Sequence, residues 1–273
     1  MKARSVPWLF LAPFGVLFCI TLAYPLARSV WLAFHQTAGP GVVRFVGFDN
    51  FTFLAADALF WLALANTVGF GLVYVAVQLP VSFGLALLLN RRGMPCVGLL
   101  RLCFFGTFLV GGVFTAVLFS MLLSGLLTDL LNRPNLVMPA VLLCAVWLNA
   151  GYGMVYFLAG LQQVDPALLD AAAVDGAGPW RITWHVTLVQ LRSVAVFLLV
   201  VGGLFSLQLF ELPFVLLQGP GPGYRGLTVV MYLVHHGFEV GDLGMAAAVG
   251  WALTLLVGLV AVLPAARLTR EAA

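Results

Sequence analysis

Six stretches of this chain hold no Asp, Glu, Lys or Arg: residues 5–27, 58–90, 102–128, 134–164, 193–210 and 243–266. An apolar helix needs roughly 20 residues to cross a bilayer. Five of the stretches exceed that length. The remaining one ends at Glu211, but its apolar run continues to Leu217. The chain is 63% hydrophobic and 8% charged, against about 25% charged in an ordinary soluble domain. Too few polar side chains remain to clothe a soluble core of this size. The sequence therefore predicts an all-α integral membrane protein with six transmembrane helices, at about 8–34, 59–89, 99–123, 137–161, 194–217 and 243–266. No internal repeat or soluble domain interrupts this single unit of residues 1–273.

Basic residues set the expected orientation. With six spans, both termini share a side with Lys2, Arg4, Arg91, Arg92, Arg101, Arg181, Arg192, Arg267 and Arg270, and the other side holds Arg28, Arg44, Arg133 and Arg225. Nine against four places the termini in the cytoplasm, so the net charge of +3 is a topology signal. No basic arm for nucleic acid is present. Two positive charges followed by an apolar run from Val6 imitate a signal peptide. Pro13, Tyr24 and Pro25 lie within or just beyond that run, and no A-x-A pattern closes it, so an uncleaved first span is expected. Cys19, Cys96, Cys103 and Cys144 lack paired C-x-x-C spacing and read as small apolar fillers.

Catalytic patterns are lacking. No G-x-x-x-x-G-K-[ST] cradle offers this chain a P-loop for ATP. Ser206 with His235 or His236 would be the pair for an intramembrane serine protease. Both histidines lie in a polar loop before the sixth span, a poor place for a base. They are adjacent, and adjacent helical residues do not share a face, so no metal site is expected either.

The loop between spans four and five, 163–190, is unlike the rest. Asp165-Pro166 reads as an N-cap followed by Pro at the first helical position. Residues 166–175 favour helix, Gly176 suits a left-handed end, and Gly178-Pro179 reinforces the turn. "WRITWHVTL" starts a second helix towards the fifth span. Leu169, Ala172, Ala173 and Gly176 form a narrow stripe of small side chains at helical spacing, flanked by Asp170 and Asp175. A helix resting on a membrane surface would show basic residues and large apolar anchors. This one is acidic and rich in Ala, which points to a docked protein.

"DAAAVDGAGPWRITWHVTL" resembles the E-A-A…D-G-A…I-x-L-P loop of the permease subunits of binding-protein-dependent ABC importers. The flanking "VWLNAGYGMVYFLAGLQQVDPALLDAAAVDGA" is similar to their sugar-type branch, the relatives of maltose and glycerol-phosphate permeases. "FVGFDNF" (45–51) resembles F-x-G-x-x-N-F/Y of the first outside loop, "ANT" (65–67) the opening of the second span, and "NRR" its exit. "FELPFVLLQGPGPG" and "GLTVVMYLVHHGFEVGDLGMAAAVGWAL" resemble the region between spans five and six. The likeness covers nearly the whole chain. Departures are Asp170 in place of the family's Glu, Val189 and Ser193 in place of prolines, and a third span without the expected prolines.

The resemblance implies a permease for a sugar or sugar-like solute in a bacterial or archaeal cytoplasmic membrane. It implies a second permease subunit as heterodimer partner, two ATPase subunits and an external solute-binding protein. ATP and Mg would be used by the ATPase and no cofactor bound by this chain, which is then not an enzyme. Leu169, Asp170, Ala171, Ala172, Asp175, Gly176 and Arg181 would couple to the ATPase. An importer for glycerol phosphate or another polar solute is the alternative within the class; an intramembrane enzyme and a stand-alone carrier are more distant ones. Solute sites of transporters lie near the midplane, and the polar residues within spans are Asn66, Gln78, Trp147, Asn149, Tyr152, Gln208 and Glu211. Of these, Trp147, Asn149, Tyr152, Gln208 and Glu211 are the expected pathway residues. Such groups can equally join helices.

Overall fold

The structure, a computed structural model, describes residues 6–37, 39, 42–91, 93–122 and 131–271. Lys2, Arg4, Arg92 and the predicted end of the third span at Leu123 lie outside them. The described chain is almost entirely helical. Among the described residues, four helices are long and apolar enough to cross a membrane, and the number of spans rises to as many as six if each of two bent helix pairs is one span.

One compact unit comprises Met1–Trp61 and Tyr232–Leu256. Its first span is α1 (Val6–Phe18), a π-helical turn (Cys19–Ala23) and α2 (Tyr24–Ala33). The predicted outside loop folds into a small antiparallel hairpin, β1 (His35–Thr37) with β2 (Val43–Phe45), followed by α3 (Asp49–Ala56). Asn50 of "FVGFDNF" explains that motif locally: its buried Nδ2 donates to the carbonyls of Ala33 at 2.9 Å and His35 at 3.0 Å. Those carbonyls belong to the end of the span and the start of the hairpin, and Asn50 satisfies them at once. Asp242 holds the other side, accepting from the Thr37 and Met245 backbones.

The second unit comprises Leu62–Met231 and Val257–Ala273. α4 (Ala58–Leu89) is an unbroken second span despite Pro80. The third predicted span is not one helix. α5 (Val97–Val110) and α6 (Gly112–Leu122) meet at 103° across Gly111, which adopts φ 81°. A glycine pair, Gly111-Gly112, permits the break. The fourth span, α7 (Val137–Leu161), is the centre of this unit, with 61% of its most apolar window buried. Gly151 brings it within backbone contact of α5: a Cβ there would stand 1.8 Å from the Phe104 carbonyl oxygen. Small residues allow such approaches between spans.

After α7 come α8 (Pro166–Val174), α9 (Pro179–Ile182), a π turn (Thr183–Thr187), α10 (Leu188–Gln190) and α11 (Arg192–Leu207). The run Pro179–Gln190 bends by 70° into α11. The predicted fifth span, 194–217, also ends early. α11 stops at Leu207, Gln208 to Phe210 leave helical geometry, and α12 resumes at Glu211–Leu217. Pro213 gives the reason. Inside one long helix it could not donate to the Leu209 carbonyl, whereas in the first turn of α12 the missing N–H is harmless.

A 3-10 turn (Pro222–Tyr224) and α13 (Val229–Val234) lead through a π turn (His235–Glu239) to α14 (Leu243–Glu271). "ANT" holds the start of this segment. Asn66 Nδ2 donates to the carbonyls of Tyr224 at 3.0 Å and Leu227 at 3.1 Å, and Thr67 Oγ1 accepts from Val229 N–H at 3.0 Å. Asn66 thus serves the loop rather than a solute. Asn66→Ala should cost about 2 kcal/mol and speed proteolytic nicking within residues 219–228; unchanged nicking would show that these bonds do not hold the loop.

Candidate functional site

Two of the cavities among the described residues of the second unit hold the predicted polar residues. The first, about 180 Å³, is lined by Tyr74, Gln78 and Ser82 of α4, Asn149 and Tyr152 of α7, and Phe205 of α11, among others. Asn149 stands at the middle of α7, about 18 Å from either end at 1.5 Å per residue. Asn149, Tyr152 and Gly153 follow i, i+3, i+4 spacing and share one face. Trp147 falls off that face. It lines neither cavity and packs edge-on against Phe119 at 5.3 Å. Thr107 Oγ1 donates to the Trp147 carbonyl at 3.2 Å, joining α5 to α7. Phe108 and Tyr152, with ring centres 4.8 Å apart, give the cavity an aromatic wall.

The second cavity, about 390 Å³, is built where two spans break. It is lined by Gly112 at the start of α6, Leu148 of α7, and Phe205, Gln208, Phe210 and Glu211 around the α11–α12 break. Phe205 borders both cavities. A Cβ on Gly112 would lie 3.4 Å from Glu211 Oε2, in van der Waals contact with the carboxylate. Glu211 is the first residue of α12 and adjoins the first residue of α6. Helix N-termini favour negative charge, which accounts for an acid within an apolar run. Of the five predicted pathway residues, the fold assigns Asn149 and Tyr152 to the first cavity and Gln208 and Glu211 to the second. Gln78 and Ser82 are further polar wall residues. Ser82 carried no sequence signal, because a serine in a span ordinarily bonds its own helix.

The exposed loop forms a third feature. Asp165 caps α8, its Oδ1 accepting from Ala167 N–H at 2.9 Å. At the other end Gly176 has φ 77°. Gly176 N–H donates to the Ala173 carbonyl at 3.1 Å and Ala177 N–H to the Ala172 carbonyl at 3.0 Å, the paired bonds of a Schellman motif. No residue of α8 is buried. Leu169 and Ala172 are half-buried, whereas Asp170, Ala171, Ala173, Val174, Asp175 and Gly176 are exposed. The stripe read from the sequence is therefore split, and the outward face centres on Asp170, Ala171 and Val174. Arg181 lies exposed on α9 beside Trp180, which is 73% exposed.

The protease candidates each have local partners of their own. Ser206 is buried and its Oγ donates to the Gly203 carbonyl at 2.8 Å. The predicted polar loop holding the histidines is a π turn. His235 pairs with Glu239 at 2.8 Å, and His236 packs on Tyr232. Burial holds the His236 imidazole below its ordinary pKa, helped by His235 and opposed by Asp57 and Asp242. No cluster of three metal-ligating side chains occurs among the described residues. Cys144 lies in the core, while Cys19, Cys96 and Cys103 are exposed.

Broken spans around two cavities that share Phe205, with an exposed capped helix, are the architecture of a membrane permease. The chain belongs to the binding-protein-dependent transport system inner membrane component family, whose model matches residues 99–269. It is 31% identical over 93% of its length to the arabinooligosaccharides transport system permease protein AraP of Bacillus subtilis, covering 85% of that protein. It is 31% identical over 90% of its length to the sulfoquinovosyl glycerol transport system permease protein SmoG of Agrobacterium fabrum, covering 84% of it. In fold it matches a chain of a bacterial alginate ABC transporter crystallised with an alginate pentasaccharide-bound periplasmic protein. The TM-score is 0.81 at 22% identity, over 96% of this chain and 93% of the other.

Proposed function

We propose that this permease forms half of the path for a sugar or sugar-like solute and is driven by a separate ATPase docked on α8. The observation that carries the coupling role is a nine-residue helix fixed at both ends by backbone-satisfying caps, with no fully buried residue and only Leu169 and Ala172 half-buried. A rigid helix transmits displacement, whereas a frayed loop absorbs it. Its partners in this reading are two ATPase subunits, which use ATP and Mg, a second and non-identical permease, and an external binding protein. The basic-residue bias supports a cytoplasmic position for α8 and both termini.

The two cavities form the solute path. Sugars use aromatic faces beside hydrogen-bonding groups, which Phe108, Tyr152 and Asn149 supply. Among the described residues no Lys or Arg lines either cavity, and Glu211 borders the larger. Asp170→Lys reverses the charge at the centre of the exposed face and should lower ATPase co-purification at least tenfold, with normal insertion of the permease. If co-purification and solute uptake both persist, α8 is not the docking helix.

A further inference from the structure

We propose that Gln78 reads a hydroxyl donor of the solute through its side-chain carbonyl oxygen. This rests on the first cavity being part of the solute path. Ser82 Oγ donates its single proton to the Ala150 carbonyl at 3.1 Å. Its oxygen can therefore only accept from Gln78, whose Nε2 stands 3.1 Å away. Turning the amide over would require Ser82 to withdraw its proton from the Ala150 carbonyl and give it to Oε1. With Ser82 donating to Ala150, the amide turns Nε2 to Ser82, and Oε1 is left as an acceptor. It has no hydrogen-bond partner among the described residues, although Gln78 is only 7% exposed. Buried carbonyl oxygens are almost always paired. The neighbouring wall amide does not serve it: Asn149 Nδ2 donates to the Ala145 carbonyl at 3.0 Å, and Gln78 Oε1 receives no bond from it.

The arrangement is built, not incidental. Ser82 is fully buried, and Gly153 leaves space for it: a Cβ at 153 would lie 2.5 Å from Ser82 Oγ and 3.8 Å from Gln78 Nε2. Gln78 lies about 16 Å along α4 from its Leu89 end, near half the thickness of a bilayer core. A fixed acceptor at that depth discriminates among solutes, because a solute lacking the matching donor leaves it unpaired. Two blander roles compete, an amide that only packs helices and an acceptor served by trapped water. Neither would distinguish one sugar hydroxyl from another.

The test uses cells expressing the chain with its native partners and a panel of radiolabelled lactose and arabinobiose, continuing with the sugar taken up. Each hydroxyl of that sugar is replaced in turn by hydrogen and by fluorine, which accepts but does not donate. Wild type is compared with Gln78→Met and Gln78→Glu, so that recognition by the external binding protein cancels. At one ring position, both replacements should slow uptake about tenfold more in wild type than in Gln78→Met. Gln78→Glu, which keeps the acceptor, should retain that sensitivity. Equal sensitivity in wild type and Gln78→Met at every position overturns the proposal and assigns Gln78 to packing or water.

The underlying pathway is checked separately. Asn149→Cys is made in a chain whose Cys19, Cys96 and Cys103 are serine, and a methanethiosulfonate reagent is applied. Blocked uptake leaves the pathway standing even if the Gln78 result fails. Uptake that survives labelling overturns the pathway itself, and failure of both sugars to enter overturns the solute class.

Discussion

Gly176→Pro is expected to reduce ATP-driven uptake at least tenfold while leaving the permease inserted in the membrane. Two independent features of Gly176 forbid the proline. Its φ is 77°, whereas the pyrrolidine ring holds φ near −65°. Its N–H donates to the Ala173 carbonyl, and proline has none to give. Losing this bond also displaces Ala177, whose N–H satisfies Ala172, so the end of α8 unravels and the turn into α9 opens. Nothing lies within 4 Å of a Cβ at this position, so a side chain as such is tolerated. Uptake should fall in the order Gly176→Asn, Gly176→Ala, Gly176→Pro, following tolerance of the left-handed region and then loss of the N–H. Equal activity of the alanine and proline variants would mean that the backbone geometry here is not what transmits movement.

Gly151→Ala should destabilise the folded permease by about 3 kcal/mol or more. The added methyl would stand 1.8 Å from the Phe104 carbonyl oxygen and 2.3 Å from its carbon. Both are backbone atoms, which cannot rotate away as a side chain can, so α5 and α7 must separate. That separation would break the donation from Thr107 to the Trp147 and Leu148 carbonyls. Gly84→Ala on α4 is the matched control, since its Cβ would meet nothing within 4 Å. Thermal unfolding in detergent should fall clearly for Gly151→Ala and stay near wild type for Gly84→Ala. Equal midpoints would show that the two helices are not in backbone contact.

Several elements of this fold are legible in the sequence because their causes are local. Asp165, Pro166 and Gly176 lie within one short segment and cap the same helix, so their spacing predicts both ends of α8. The breaks are only half legible. Gly111-Gly112 and Pro213 are visible signals, yet a charge-free composition suits a straight span as well as a bent one, and apolarity hides the interruption. The angle of 103° at Gly111 depends on what α6 packs against. The motif "WLNAGY" reads as one polar-aromatic group, but helical spacing separates Trp147 from Asn149 and Tyr152.

By itself the sequence determined the membrane-spanning class, the number of apolar stretches and the doubly capped exposed helix. Each depends on composition or on residues a few positions apart. The tertiary structure alone decided that Asn66 holds Tyr224 and Leu227 rather than a solute. It also decided that two helix breaks enclose one cavity at Glu211, and that Gln78 keeps an unpaired acceptor because Ser82 has given its proton to Ala150. The physical reason is that a polar group's role is set by the donors and acceptors left within reach. In a bundle of spans, those come from segments far away along the chain.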